Sequence, residues 1–132
     1  MLEGDTGKRD VVLDLEAGLE VMSRATPRYV DVLLAVVEPY FRSLEAGKRV
    51  VELAKGLEVP RVYVVANKVR SEADAAAIES FCDNHDLELI RSIPFDEGLI
   101  EAERAGKAPI DYDPASPAVS EIRELAGVLL AG

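Results

Sequence analysis

Glutamine and tryptophan are missing from this 132-residue chain, asparagine occurs twice, and there is one cysteine, Cys82, and one histidine, His85. A lone cysteine cannot close an internal disulfide, and one Cys with one His cannot assemble a Cys/His metal cluster. Cys82 stands at helical spacing from Ala75 and Ile78, which predicts a small core residue rather than a reactive thiol. His85, set among Asp83, Asn84 and Asp86, reads as a solvated helix end. Bases are scarce beside acids: 15 Lys and Arg against 25 Asp and Glu give a net charge of −10. That field repels phosphate backbones and anionic lipid, so neither nucleic acid nor a membrane surface is an expected partner. No apolar run reaches the roughly 20 residues of a spanning helix, and the start Met1-Leu2-Glu3-Gly4-Asp5 lacks a basic region followed by an apolar one. A cytoplasmic protein is expected. The shortage of amide side chains is a bias found in heat-adapted proteins.

The length suits one domain that buries roughly two thirds of its unfolded surface. Its organising stretch is residues 11 to 20. The apolar run Val11 to Leu13 ends in Asp14, and Gly18 follows four residues later. This is the order expected where a buried strand delivers an acid to the rim of a parallel sheet, the edge at which such sheets bind ligands. An acid there can hold magnesium directly or through water, and a glycine lets backbone approach a phosphate. The alternative is a solvated Asp closing a strand and a Gly capping it.

Residues 1 to 9 are polar and glycine-containing, a flexible lead-in to a domain over 10–132. Gly7-Lys8 does not make the phosphate loop G-x-x-x-x-G-K-[ST], because position 2 is Leu and position 9 is Arg. Leu19 to Ala25 predicts a short helix stopped by Thr26-Pro27. Val32 to Val37, apolar and rich in valine, predicts a strand covered on both faces and ended by Glu38-Pro39. Ser43 is a candidate cap for a helix with Leu44, Gly47, Val50, Val51 and Ala54 inward and Gly56 as its stop. Val62 to Ala66 predicts a third buried strand ending in Asn67-Lys68. Ser71 and Asp74 form a capping-box-like start for a helix carrying Ala75, Ile78, Phe81 and Cys82. Leu87 to Asp96 predicts a less covered strand near the sheet edge, Glu97 to Ala105 a brief helix closed by Gly106, and Lys107 to Ala115 a loop. Ser116-Pro117 opens the last helix, with Val119, Ile122, Leu125, Ala126 and Leu129 on its buried face. Strands alternating with helices give an α/β fold, a three-layer sandwich around a mainly parallel sheet of about four strands.

Polar groups therefore meet at one rim: Asp14 with Gly18, Glu38-Pro39, Asn67-Lys68, and Pro94 to Asp96. An Asn after a strand is most often just a turn residue. A guanine reader of the N-K-x-D kind needs a carboxylate at position 70, and Arg70 cannot accept a hydrogen bond, which argues against GTP.

Four stretches in order carry a family resemblance: Asp14 to Glu20 with Ser23 to Thr26, Val37-Glu38-Pro39 with Ser43-Leu44, Val65 to Val69, and Ile93 to Asp96 with Glu101-Ala102 and Gly106. From about Asp10 to its end the chain resembles the carboxy-terminal half of the MinD/ParA class of deviant P-loop ATPases, most closely the CooC-like branch, which serves nickel insertion in carbon monoxide dehydrogenase maturation. The resemblance implies an incomplete P-loop NTPase fold. It makes Asp14 the Walker B acid that helps place magnesium and Gly18 the switch glycine facing the terminal phosphate. Asn67 would hydrogen-bond adenine, and Pro94 to Asp96 would wall the base. The phosphate loop, its lysines and the paired cysteines of CooC belong to a preceding half that is not in this sequence. Val21 stands where CooC-like chains often have histidine, and the last helix lacks the basic amphipathic character of a membrane-gripping MinD helix.

The expectation is thus a nucleotide-binding half, with ATP and magnesium as weak ligands, no hydrolysis by this chain alone, and a link to metallocentre maturation. A homodimer, or a partner supplying the other half, is expected, with a client metalloenzyme beyond it. The rival is a non-catalytic interaction module that keeps the fold and has lost the nucleotide. A third class, the signalling receiver domain, requires an acidic pair on an earlier strand, a hydroxyl ending the next strand and a later Lys-Pro; this sequence has Glu38-Pro39 and Asn67-Lys68-Val69 instead.

Overall fold

The computed structural model describes residues 10–15 and 30–131. Three parallel strands, β1 (Val32–Val37), β2 (Arg61–Val69) and β3 (Leu89–Pro94), lie in that order. They alternate with α1 (Phe41–Gly56) and α2 (Glu72–Asn84), and α3 (Glu97–Arg104), α4 (Pro109–Tyr112) and α5 (Pro117–Ala131) follow. The β-α-β-α-β order makes a parallel sheet the natural outcome, because each helix returns the chain to the edge from which the next strand starts.

Period two on the strands sorts side chains to two faces. Leu33, Ala35, Val37, Val64 and Ala66 pack with Leu44, Val51 and Ala54 of α1 and Ile78 and Cys82 of α2. Val65 and Ile93 pack on the other face with Ala118 and Leu125 of α5, and Leu34, Ile90, Leu99 and Leu129 lie partly buried against them. Helix layers therefore sit on both sides of the sheet, and the three-layer architecture stands, with three strands among the described residues. Cys82 is buried, and burial first, then the neighbouring Asp83 charge, pushes its thiol pKa up, as suits a core residue.

Several expectations are corrected. Val11 to Leu13 are not a buried strand: they belong to no strand and are exposed, Val12 at 92%. A strand exists only where a neighbour completes its ladder, and here Leu15 alone reaches the core. Gly18 and the helix expected over Leu19 to Ala25 lie outside the described residues, as does the lead-in. β1 is fully covered on one face only: on the other, Leu34 is partly buried and Val36 is 59% exposed. α1 begins two residues before Ser43, after Tyr40, and Ser43 Oγ instead accepts from Glu38 N–H at 2.8 Å. The helix ends at Gly56 as expected, but the left-handed residue that closes it is Glu58, at φ 64. Val59 N–H bonds Ala54 O at 3.1 Å and Glu58 N–H bonds Lys55 O at 3.0 Å, a Schellman closure. α2 ends the same way at Asp86 (φ 57) and α3 at Gly106 (φ 69). The loop after Gly106 holds the short α4, set by Pro109 in its first turn. On α5, Ile122 and Ala126 are exposed, and Ala118, Val119 and Leu125 make the buried stripe. Ser71 does cap α2, accepting from Asp74 N–H at 3.1 Å, and Ser116 Oγ likewise accepts from Val119 N–H at 3.2 Å.

Candidate functional site

The carboxyl ends of the three strands build one rim. β1 stops at Val37, and the backbone of Glu38 is tied to Ser43, so the chain turns directly into α1. β2 runs on through Asn67 and Lys68 instead of ending before them, but its pairing with β3 is interrupted there. Ala66 pairs with Ser92 and Val69 with Pro94, so two β2 residues oppose one on β3. This is a bulge, and Lys68 takes the left-handed region at φ 57 within it. Asn67 stabilises it locally, its Oδ1 accepting from Lys68 N–H at 2.9 Å. The bulge aims Lys68 back toward β1, where its Nζ lies 3.7 Å from Glu38 Oε2. Lys68 is exposed and Glu38 half-exposed, so the pair contributes at most about 1 kcal/mol. It nevertheless fixes which groups face each other across the rim.

Beyond the bulge, Phe95 N–H donates to Val69 O at 2.9 Å and keeps the strand ends together past the ladder. Arg70 N–H donates to Asp74 Oδ2 at 2.9 Å, and the Arg70 guanidinium lies over the Phe95 ring, 3.8 Å from its centroid. Asp96 caps α3: its Oδ1 accepts from Gly98 N–H at 2.9 Å, while Oδ2 reaches across to Ala118 N–H at 3.1 Å. The Ala118 bond, then the Gly98 bond, with a smaller contribution from the Ser116 hydroxyl, hold the Asp96 carboxyl below the usual carboxylate range against a modest desolvation penalty.

Asn67, Pro94 and Asp96 therefore share one end of the sheet. Asp14 is exposed in an irregular segment and paired to no strand, and Gly18 lies outside the described residues. Asn67 is half-buried, with its carbonyl oxygen engaged and its amide nitrogen without a partner among the described residues. The Asp96 carboxylate is spent on two helix starts. Sequence reasoning missed the Glu38–Lys68 pair and the Arg70–Phe95 stack. The opposite charges after successive strands could have signalled the first, but the second needs the bulge, which no local motif announces.

Neither described groove lies on the rim. The larger, about 540 Å³, opens at the opposite end of the sheet among Lys55, Val59, Arg61, Tyr63, Leu87 and Glu88. A second, about 420 Å³, follows the outer edge of β3 beside Arg91 and Glu121. Among the described residues no cluster of three His, Cys, Asp or Glu side chains is placed to hold a metal ion, and no helix is long and apolar enough to cross a membrane.

No family model matches the chain. It is 39% identical over 120 residues to an uncharacterised ATP-binding protein of Methanocaldococcus jannaschii, covering 89% of this chain and 46% of that protein. It is 38% identical over 108 residues to the carbon monoxide dehydrogenase accessory protein CooC of Rhodospirillum rubrum, covering 82% of this chain and 40% of CooC. The MinD cell division protein of Aquifex aeolicus superposes with a TM-score of 0.68 at 27% identity, over 80% of this chain and 46% of that one. The chain spans less than half the length of each of these proteins. With the parallel sheet and its polar rim in place, these likenesses establish the chain as a homologue of the carboxy-terminal half of CooC-like and MinD/ParA-type ATP-binding proteins.

Proposed function

We propose that residues 10–132 form the base-binding half of a CooC/MinD-like ATP-binding domain, which contacts adenine but needs polypeptide from the other half to bind ATP tightly or hydrolyse it. The supporting observation is the rim. Asn67, its amide donor unpaired among the described residues, stands at a bulge beside Pro94, in a chain 39% identical to an ATP-binding protein. Pro94 and the backbone of Phe95 and Asp96 form the wall of the base, while the Asp96 carboxylate serves the fold. Asp14 supplies a magnesium ligand, with Gly18 beside the terminal phosphate, once the remaining phosphate-binding groups are present. Bound Mg-ATP brings the transferable phosphoryl group and the charge that the metal offsets. This chain's part is to hold and orient the base.

Of the two outer edges among the described strands, one favours completion from outside. The β3 edge carries Arg91, paired to Glu121 of α5 at 3.4 Å, and Pro94, devices that discourage strand addition. The β1 edge, Val32–Val37, has neither charge nor proline, and Val36 is exposed. A strand from the other half, in the same or a separate polypeptide, or from a second copy of this chain, would cover it. The 38% identity to CooC supports a role in metallocentre maturation with a client metalloenzyme. Titration calorimetry with Mg-ATP, before and after adding the amino-terminal half of the M. jannaschii relative, tests the proposal. A large gain in affinity is expected on addition, and no gain would defeat it.

One observation favours a second reading, an interaction module without nucleotide. Both the Asn67 carbonyl and the Asp96 carboxylate already have protein partners. Under that reading Asn67→Ala leaves partner binding and nucleotide titrations alike unchanged.

A further inference from the structure

The side chains of Arg70 and Phe95 have no part in the roles assigned so far, yet their residues adjoin Asn67 and Pro94 on the strand ends. Three constraints hold it. The bulge at Asn67 and Lys68 re-phases β2 so that Val69 pairs with Pro94, and the Phe95 N–H to Val69 O bond brings Phe95 beside Arg70. The Arg70 backbone is anchored by Asp74, which also belongs to the start of α2. The guanidinium then covers one face of the Phe95 ring at 3.8 Å. Arg70 is exposed even so, and Phe95 is the one ring found against its guanidinium among the described residues.

A guanidinium is flat, weakly hydrated and able to stack on π systems. Held on an aromatic ring, it presents a preoriented surface to another planar group, and purine bases are such groups. Asn67 adds direction: with Oδ1 engaged by Lys68 N–H, it offers an N–H donor, which suits an acceptor nitrogen of a purine ring. We propose that Arg70, backed by Phe95, is the stacking platform of the purine base, a binding role that rests on the base-binding reading above. The arginine contacts the base and not the phosphates.

The test uses nuclear magnetic resonance of the intact chain, titrated separately with adenosine and with tripolyphosphate at millimolar concentrations. Adenosine is expected to shift the Asn67 side-chain amide, the Phe95 ring and the Arg70 side chain together, and tripolyphosphate to leave Arg70 unmoved. Arg70→Lys keeps the charge and loses the plane. It should weaken adenosine binding about fivefold, the equivalent of a stack worth about 1 kcal/mol. Arg70→Trp restores a flat surface and should recover most of the loss, and both variants retain the backbone bond to Asp74. If adenosine moves Asn67 but not Phe95 or Arg70, or if Arg70→Lys binds as well as the parent, the platform is refuted and the base-binding reading stands. If tripolyphosphate shifts Arg70 as strongly as adenosine, the residue is a phosphate contact and the platform is likewise refuted. If adenosine moves none of the three, the base-binding reading fails and the platform with it.

Discussion

Replacing Asp96 by alanine removes one side chain from the starts of two helices at once. Its two oxygens accept from Gly98 N–H at 2.9 Å and from Ala118 N–H at 3.1 Å, so α3 loses its cap and α5 loses its tie to the end of β3. A lost cap costs about 1 kcal/mol, and a hydrogen bond to a charged acceptor about 1.5 kcal/mol where water reaches it, as it does at this half-buried site. The sum, about 2.5 kcal/mol, corresponds to a fall of about 10 °C in Tm for a chain of this size. The pH dependence follows from the direction of the Asp96 shift. Because the folded pKa is depressed, the unfolded chain takes up the proton first as pH falls. The contribution is complete above the unfolded value of about 3.9 and disappears as pH drops through the folded value. Asp96→Asn isolates the charge, and comparing it with wild type cancels the carboxylates common to both. Urea unfolding followed by circular dichroism, from pH 7 down to about pH 3, should show a gap between wild type and Asp96→Asn that is constant near neutrality and shrinks below about pH 4. An Asp96→Ala variant within about 0.5 kcal/mol of wild type, or a gap unchanged with pH, would refute the reasoning.

Gly47 faces the sheet, and a Cβ built there would overlap Val37 Cγ1 in the core. Gly47→Ala should therefore destabilise by about 1–2 kcal/mol in urea despite a helix-propensity gain of about 1 kcal/mol, and adding Val37→Ala should relieve the overlap. Glu58→Gly and Asp86→Gly place glycine where the backbone is left-handed, and each should raise stability by about 0.5–1 kcal/mol in the same assay. Gly106→Ala, at φ 69, should lower it. Mg-ATP should bind the chain alone with a Kd near a millimolar, because two or three base-side hydrogen bonds at about 1 kcal/mol each and one stack amount to about 4 kcal/mol. A micromolar Kd by calorimetry would show that phosphate contacts exist within this chain.

The alternation of strands and helices was legible from residue 32 onward because each element carries its own signal. Val32–Val37 is apolar without interruption, Ser71 with Asp74 marks a helix start, and Ser116-Pro117 marks another. Val11 to Leu13 carry the same apolar signal and are not a strand. Composition states what a segment could bury, whereas a ladder needs a partner, and none of the described strands lies beside them. The ends of the helices were legible, but not which residue takes the left-handed turn after two of them. A glycine marks where the left-handed turn is easiest, and Glu58 and Asp86 adopt it because Val59 and Leu87 gain hydrogen bonds to Ala54 and Cys82 that close the preceding helices.

The candidate site was legible as a set of residue types and illegible as a set of available atoms. Asn67, Pro94 and Asp96 were identifiable because each follows or closes an apolar run, and the parallel topology alone brings such ends to one rim. Whether a polar atom there is free depends on partners far along the chain. Asp96 lies 22 residues from Ala118, whose N–H it binds, and the Glu38–Lys68 and Arg70–Phe95 contacts join ends of different strands. A hydrogen bond already made must be exchanged, not simply added, when a ligand arrives, so an occupied acceptor contributes almost nothing to affinity. By that criterion the rim offers a ligand the Asn67 amide donor and the guanidinium of the exposed Arg70, and it withholds the Asp96 carboxylate. Those offers favour a flat, acceptor-bearing base over a metal ion. Under the base-binding proposal the charge that stabilises a transferring phosphoryl group is supplied by the other half of the domain, and the residues of this rim hold and orient the base.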